Sequence, residues 1–230
     1  MKLSIVIPAY NEEESIEETV LTLYDTLTKF KIDHEIIVVN DSSKDGTKRK
    51  LEEIATKINT LVYYTNFGPN GFGNAVKFGL DKFTGDCVAV MMADLSDDPL
   101  DLVKYYHRML VDNLDCVFGS RFIGSDAHRV LYFWHSVANR MLTTASNMFT
   151  NLNLTDMETC YKCFKREVIQ SIDLQEKRFG IEPELASKVA KGKWRIYEVG
   201  ISYSGRTYEE GKKIGPKDAF RAIYCVLKYR

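Results

Sequence analysis

The stretch Cys87–Pro99, CVAVMMADLSDDP, decides the fold that this sequence predicts. It begins as a short, almost unbroken apolar run without a helical period, which is typical of a strand buried on both faces of a parallel sheet. Pro99 cannot continue a central strand, so the chain must turn at or before this residue. The turn is acidic, because Asp94, Asp97 and Asp98 follow the apolar run directly.

Two interpretations of these acids are open. Ligands of open α/β sheets bind outside the carboxyl ends of the strands, and Mg²⁺ is often held by one or two carboxylates together with substrate phosphates. On this interpretation, Asp94 lies where a metal and a diphosphate bind. On the other, the three acids belong to an Asx-type turn and are solvated.

The sequence on both sides of this stretch alternates between strand and helix patterns. Short β-branched or apolar runs predict further strands at 2–9, 35–40, 61–65, 116–119, 160–164 and 195–201. Amphipathic stretches predict helices at about 16–30, from 47, at 75–83, 100–110 and 130–148, before 189 and from 216. Repeated strand–helix units imply right-handed crossovers. The predicted fold is therefore a single α/β domain with a mostly parallel, Rossmann-like sheet flanked by helices.

Length and composition restrict the classes of protein to which this chain can belong. The 230 residues suffice for one large α/β domain, and the net charge of −1 gives no global reason to expect nucleic acid as a partner. No apolar run approaches the roughly 20 residues that span a bilayer. Acidic residues follow Asn11 at once, which argues against a signal peptide. Five cysteines, mostly in apolar surroundings, favour a reducing compartment, so we expect a cytoplasmic protein.

Five motifs together resemble the family 2 glycosyltransferases. They are SIVIPAYNEEESI at 4–16, VVNDSSKDGT at 38–47, MADLSDDP at 92–99, GSRF at 119–122 and LTDMETCYK at 154–162. Within that family the chain is most similar to the dolichyl- or polyprenyl-phosphate sugar synthases. The resemblance covers essentially the whole chain. It implies a GT-A fold over residues 1–230, with a nucleotide-binding half at about 1–115 and an acceptor half at about 116–230.

The resemblance also implies a reaction. The expected enzyme is an inverting hexosyltransferase that moves a sugar from a UDP- or GDP-sugar to an acceptor with the help of a divalent metal, Mg²⁺ or Mn²⁺. Polyprenyl phosphate is the first-choice acceptor, because Arg121 and Arg129 match arginines that face the acceptor phosphate in such enzymes. The alternatives are transfer to a saccharide hydroxyl in glycan or polysaccharide assembly, and a nucleotide-sugar-binding homologue without turnover.

Individual donor and metal positions can be matched to the family's motifs. The residues that match donor-binding positions are Pro8, Ala9, Tyr10, Glu12, Asp41, Asp94 and Arg206. Asp94 matches the second Asp of the D-x-D motif and is both a catalytic and a metal-binding candidate. Ser96 lies where some relatives supply another metal or phosphate contact. Met92 replaces the first Asp, and because a thioether is a poor ligand for Mg²⁺, any metal must depend on Asp94, the donor phosphates and Asp97 or Asp98.

The general base is a second departure from the family's pattern. The stretch around Cys160 replaces an acid that some membrane-anchored relatives have been proposed to use as base. We therefore expect Asp156 or Glu158 to take this catalytic role. The alternative is structural, with these acids capping a loop or forming an ion pair with Lys162 or Arg166.

The C-terminal stretch 204–230 raises the question of a membrane contact. It carries seven basic and three acidic residues, and residues 220, 223, 224 and 227 form an apolar stripe. A basic amphipathic helix can lie in a membrane interface, so a peripheral contact with the cytoplasmic membrane face is one expectation. The other is a terminal helix packed on the sheet. The aromatic run 132–134 fits a lipid contact, the core or the face of a homodimer.

Overall fold

A computed structural model describes residues 1–124, 129, 132–207 and 215–230. Within these ranges the strands are β1 (Leu3–Ala9), β2 (His34–Asn40), β3 (Leu61–Thr65), β4 (Cys87–Val90), β5 (Cys116–Ser120), β6 (Lys162–Lys165) and β7 (Ile196–Gly200). The helices are α1 (Ile16–Lys29), α2 (Thr47–Ala55), α3 (Phe72–Leu80), α4 (Pro99–Val111), α5 (Phe133–Thr150), α6 (Arg166–Gln170), α7 (Ile181–Ala190) and α8 (Pro216–Tyr229).

All seven strands belong to one sheet with the order β3-β2-β1-β4-β6-β5-β7. Neighbouring strands are parallel except at β6, which runs antiparallel to both β4 and β5. The predicted mostly parallel α/β sheet is therefore confirmed. The direction of β6 was not predicted, because it depends on the path of the connection rather than on the side chains of the strand.

Strand β4 is buried on both faces, as its apolar run predicted. All four of its residues are buried. Cys87 and Ala89 face the core that contains residues of α1, α2 and α4, whereas Val88 and Val90 face the core that contains residues of α3 and α7. Pro99 begins α4, with Asp98 as its N-cap. The strand and the break that follows it thus occur where the sequence indicated.

Several boundaries differ from the sequence prediction. Helix α3 begins at Phe72, three residues earlier than expected, and β6 begins at Lys162 rather than at residue 160. The short helix α6 was not anticipated. The predicted start of the long helix near Val130 lies outside the described residues, and α5 is described from Phe133. Glycines in the loop before α3 obscured its start, since glycine disfavours helix.

The packing of α3 on the sheet depends on Gly79. A Cβ at this position would lie 2.4 Å from Val6 Cγ1 and 3.3 Å from Val39 Cγ2. We expect Gly79→Val to lower the free energy of unfolding by about 1–3 kcal/mol, because the core must shift to admit the side chain. Urea unfolding measures this loss. Gly215→Val is the control: a Cβ there meets no described atom within 4 Å, so equal losses in both variants would contradict the packing explanation.

Candidate active site

A cavity of about 500 Å³ lies beyond the carboxyl ends of the parallel strands, where open α/β sheets bind ligands. The strand register creates it. Ala9 of β1 pairs with Asn40 of β2, which pairs with Thr65 of β3, so these strands end together. Ser120 of β5 pairs with Gly200 of β7 in the same way. The loops that follow these strands therefore converge on one space.

Most of the site residues predicted from the sequence line this cavity. They are Pro8, Ala9, Tyr10, Glu12, Asp41, Asp94, Ser96, Arg121, Glu158 and Arg206. Among the described residues, Asp156 and Arg129 are predicted positions that do not line it. Asp156 lies behind Arg121, and Arg129 is exposed, with its backbone N–H donating to Tyr203 O at 2.7 Å.

Asp41 anchors the glycine-rich loop that precedes α3. Its Oδ1 accepts a hydrogen bond from Asn66 Nδ2, and its Oδ2 accepts one from Gly71 N, both at 2.7 Å. Gly71 has a φ of 153°, and a Cβ there would lie 2.3 Å from Lys177 O. Only glycine fits this crossing of two chain segments. Asp41 therefore fixes the shape of the cavity wall on this side.

An aromatic pair forms another part of the wall, and sequence reasoning did not assign it. The rings of Phe72 and Phe179 stack with centroids 4.9 Å apart and an interplanar angle of 15°. Both residues line the cavity, as does the neighbouring Arg178. No spacing in the sequence relates residue 72 to residue 179, so this pair could be found only from the fold.

The three acids after β4 have three different environments. Asp94 Oδ1 accepts hydrogen bonds from Ser96 N at 3.1 Å and from Ser96 Oγ at 2.5 Å. Asp97 is buried and accepts from Met92 N at 2.9 Å; its burial raises its pKa to about 7. Asp98 caps α4 by accepting from Leu100 N. The interpretation in which all three acids are solvated is therefore wrong.

These environments decide how a divalent metal could be held. In the described part of the chain, no group of three or more His, Cys, Asp or Glu side chains is arranged to hold a metal ion. Asp94 and Asp97 both line the cavity, but Asp97 is buried with its pKa raised to about 7, and Asp98 caps α4, so Asp94 is the better metal ligand of the three. One carboxylate is enough for Mg²⁺ when substrate phosphates supply further oxygens. The donor set therefore fits a metal that binds together with a diphosphate.

Arg206 connects the first loop to the acidic turn. Its Nη1 lies 2.9 Å from Glu12 Oε2, its Nη2 donates to Ser15 Oγ at 3.0 Å, and its Nε lies 3.9 Å from Asp94 Oδ2. The segment that carries it is fixed by Ser204 N, which donates to Ser96 O at 3.0 Å. A guanidinium is thus held beside the carboxylate of Asp94, where it can contact a phosphate oxygen.

At the other end of the cavity, Arg121 is held by Asp156. Arg121 Nε and Nη2 donate to the two carboxylate oxygens at 2.6 and 2.7 Å, and Asn139 Nδ2 donates to Asp156 Oδ1 at 2.9 Å. Burial works against the charge of Asp156, but the Arg121 guanidinium and these hydrogen bonds hold its pKa below the ordinary value. Asp156 therefore stays ionised and orients Arg121 toward the cavity.

Glu158 is the better placed of the two general-base candidates. It lines the cavity, and its Oε1 is buried without a hydrogen-bond partner among the described residues. Burial, and after it the nearby Glu182 carboxylate, raises the pKa of Glu158 to about 7. Lys162 pairs with Glu182 rather than with Glu158. Glu158 thus combines access to the cavity with a pKa near neutrality, which suits a general base.

Comparisons with known proteins place the chain among sugar-transferring proteins. Residues 4–173 match the sequence model of the family described as Glycosyl transferase family 2. A dolichol-phosphate mannosyltransferase of Pyrococcus furiosus is 26% identical over 234 residues, which cover 100% of this chain and 64% of that protein. An undecaprenyl-phosphate 4-deoxy-4-formamido-L-arabinose transferase of Proteus mirabilis is 24% identical over 92% of this chain and 62% of its own length. The chain thus spans less than two thirds of both relatives.

Solved structures support the fold. Glucosyl-3-phosphoglycerate synthase of Mycobacterium tuberculosis, crystallised with Mn²⁺, UDP and phosphoglyceric acid, superimposes with a TM-score of 0.74. The match covers 99% of this chain and 78% of the synthase at 20% identity. At this identity the likeness concerns the fold alone. The expected GT-A fold is confirmed.

Proposed function

Because the chain belongs to glycosyl transferase family 2, we propose that it transfers a sugar from a UDP- or GDP-sugar to a polyprenyl phosphate. One observation carries this proposal: a single cavity joins the carboxylate of Asp94, after β4, to the guanidinium of Arg121, after β5. The first can bind a donor diphosphate through a metal, and the second can bind an acceptor phosphate. Relatives named for dolichol phosphate and undecaprenyl phosphate support this choice of acceptor.

The donor belongs to the side of the cavity built by residues 1–115. We assign its nucleoside to Asp41 and to the loop of Pro8, Ala9, Tyr10 and Glu12, all of which line the cavity. Asp94, oriented by Ser96, would hold Mg²⁺ or Mn²⁺. Structures with the same fold that contain either ion together with UDP support a divalent metal. The bound metal would act as a Lewis acid on the leaving diphosphate.

The transfer itself needs few protein groups. An oxygen of the acceptor phosphate attacks the anomeric carbon on the side opposite the leaving group, so the configuration inverts. The new carbon–oxygen bond forms while the bond to the donor diphosphate breaks, and its electron pair leaves with the nucleoside diphosphate. Arg206 stabilises the charge that develops on this leaving group. Arg121 holds the acceptor phosphate in the cavity, and alignment of the two reactants supplies much of the acceleration.

A specific observation favours a second candidate acceptor. A phosphate monoester is largely ionised at neutral pH, since its second pKa is about 6, and it requires no base. A saccharide hydroxyl does require one. Glu158, which lines the cavity and has a pKa raised to about 7, could take the proton of such a hydroxyl. Transfer to a saccharide hydroxyl is therefore the alternative function.

The acceptor is tested by supplying radiolabelled UDP- or GDP-sugar together with either a polyprenyl phosphate or oligosaccharides. We expect label in the organic-extractable lipid. Label found only in the oligosaccharide would overturn the lipid proposal in favour of the alternative. Donor binding without transfer to either acceptor would identify a nucleotide-sugar-binding homologue without turnover, and would overturn both proposals.

The pH dependence of the transfer rate, measured with and without a substitution at Glu158, distinguishes a phosphate acceptor from a hydroxyl acceptor. With a phosphate acceptor, we expect Glu158→Gln to retain the rate within about threefold between pH 6.5 and 8.5, because no proton is removed. With a hydroxyl acceptor, only ionised Glu158 is active. The rate would then rise through its half-maximum at about pH 7, where half of the carboxyl is ionised, and level off above it, and Glu158→Gln would lose about 10²–10⁴-fold. Glu167→Gln, an exposed site on α6, is the control.

A further inference from the structure

Helix α5 has the reverse of the burial pattern expected for a surface helix, whose apolar side normally faces the core. Its buried residues are the polar Thr143 and Ser146. Its outward side carries Trp134, Met141 and Met148, whose side chains are 75%, 68% and 78% exposed. These residues are spaced by seven positions, so they form one stripe along the helix. The side of α5 that faces solvent is therefore apolar.

Helix α8 presents a second apolar stripe. Ala222, Cys225 and Val226 face the protein. Phe220 and Tyr224, together with Ile223 and Leu227, are exposed at positions i, i+4, i+3 and i+7 of the helix. Helix α8 packs against α5, and the Arg230 guanidinium lies 5.6 Å from the centroid of the Phe149 ring on α5. We call the two neighbouring stripes the α5–α8 face, defined by Trp134, Met141, Met148, Phe220, Tyr224 and Leu227.

The charges around this face are mostly positive. Helix α5 contains no Asp or Glu, and Arg140 is its only Arg or Lys. Helix α8 contains Lys217, Arg221 and Lys228 against a single acid of its own, Asp218. Arg221 and Lys228 also pair with the buried carboxylate of Glu176, at 2.8 and 3.7 Å, so two cations share this one further acid. Asp218 pairs with Arg178 of the cavity wall and caps the N-terminus of α8. Residues 209, 210, 212 and 213, which contribute to the charge of the C-terminal stretch, lie outside the described residues.

Both helices of the face reach the cavity through polar contacts. On α5, Asn139 bonds to Asp156, which in turn holds Arg121. On α8, Asp218 lies 3.2 Å from Nε of Arg178, which lines the cavity. The two helices that carry the face therefore contact the part of the cavity that contains Arg121 and Arg178, through residues outside the apolar stripes.

We propose that the α5–α8 face docks on the surface of an anionic lipid bilayer. Exposed aromatic and Met side chains would enter the headgroup region, while the surrounding Arg and Lys side chains contact anionic headgroups. None of the described helices combines the length and the apolar character needed to cross a bilayer. This inference does not depend on the donor or the acceptor, and it is tested in the absence of both.

The test is co-sedimentation of the purified chain with phosphatidylcholine vesicles, with and without phosphatidylglycerol. We expect binding to the anionic vesicles that weakens as salt is added, because salt screens the attraction between exposed charges. A Trp194→Phe chain leaves Trp134 as its single tryptophan, and its emission should shift to shorter wavelength on vesicles. Absence of co-sedimentation, or binding without a shift, would overturn the proposal.

Paired variants locate the contact. A double variant that combines Trp134→Ser with Phe220→Ser should bind vesicles at least tenfold more weakly, because each substitution removes exposed aromatic surface from the face. Val111→Ser at the end of α4, where the side chain is 79% exposed, is the control and should bind as the parent does. Sedimentation equilibrium tests the competing occupant. If the chain does not bind vesicles but forms a dimer, and the double variant is a monomer, the face is a contact with a second copy of the chain. This result would overturn the lipid proposal.

Discussion

Asp94→Asn is expected to lower the rate of sugar transfer by about 10²–10³-fold, which is the size of effect seen when one electrostatic contact to a transition state is removed. Asn keeps an oxygen that can accept the hydrogen bonds from Ser96, so the turn should keep its shape. What is lost is the negative charge that would hold a metal against the donor diphosphate. Initial rates with labelled donor and saturating acceptor measure the effect.

Donor binding gives a second readout of the same variant. A nucleotide-sugar that binds the native chain raises Tm by mass action, and in the parent chain we expect EDTA to remove this shift. In Asp94→Asn the shift should be small with or without EDTA. Asp33→Asn, an exposed carboxylate just before β2, is the control and should behave as the parent does. A full transfer rate in Asp94→Asn would contradict the assignment of the metal and diphosphate to this residue.

Arg121→Ala is expected to lower the free energy of unfolding by about 3–5 kcal/mol, because it leaves the buried carboxylate of Asp156 without its cation. Asp156 is fully buried, and two of its hydrogen bonds come from the Arg121 side chain. Its lowered pKa in the folded chain means that the pair stabilises the protein above the unfolded pKa of Asp156. This stabilisation is lost as the pH falls through the folded value. Urea unfolding at neutral and acidic pH measures both effects.

A double variant separates the stability of this pair from its role at the acceptor. Arg121→Met together with Asp156→Asn removes both charges and keeps an oxygen for the Asn139 hydrogen bond, so it should recover more than half of the lost stability. It should not recover transfer to polyprenyl phosphate, because no guanidinium remains there to hold the phosphate. A stable and fully active double variant would refute the proposed role of Arg121.

Local sequence signals predicted the strands whose ends form the site. The β-branched or apolar runs before Pro8, Asp41 and Asp94 became β1, β2 and β4, and each ends at the cavity. Such runs and their terminating residues act over a few positions, so they can be read without knowing the rest of the chain. The parallel strands then place the residues that follow them at one edge of the sheet.

Contacts between distant segments could not be predicted in this way. Lys162 was considered as a partner of Asp156 or Glu158 but pairs with Glu182, which lies on α7. The stacking of Phe72 on Phe179 depends on the loop of residue 177 crossing Gly71. Both contacts are set by where α7 and the preceding loop settle on the sheet. No periodicity within a segment reports that position.

The position of strand β6 in the sheet also has a consequence for folding during synthesis on the ribosome. It separates β4 from β5 in the sheet although it is synthesised after both of them. At about 5–20 residues per second, Lys165 emerges roughly 4–15 s after Val90. During this interval one edge of β4 has no partner strand, and an open apolar edge invites pairing with other chains. The nascent chain is therefore most in need of a chaperone between the completion of α4 and the arrival of β6.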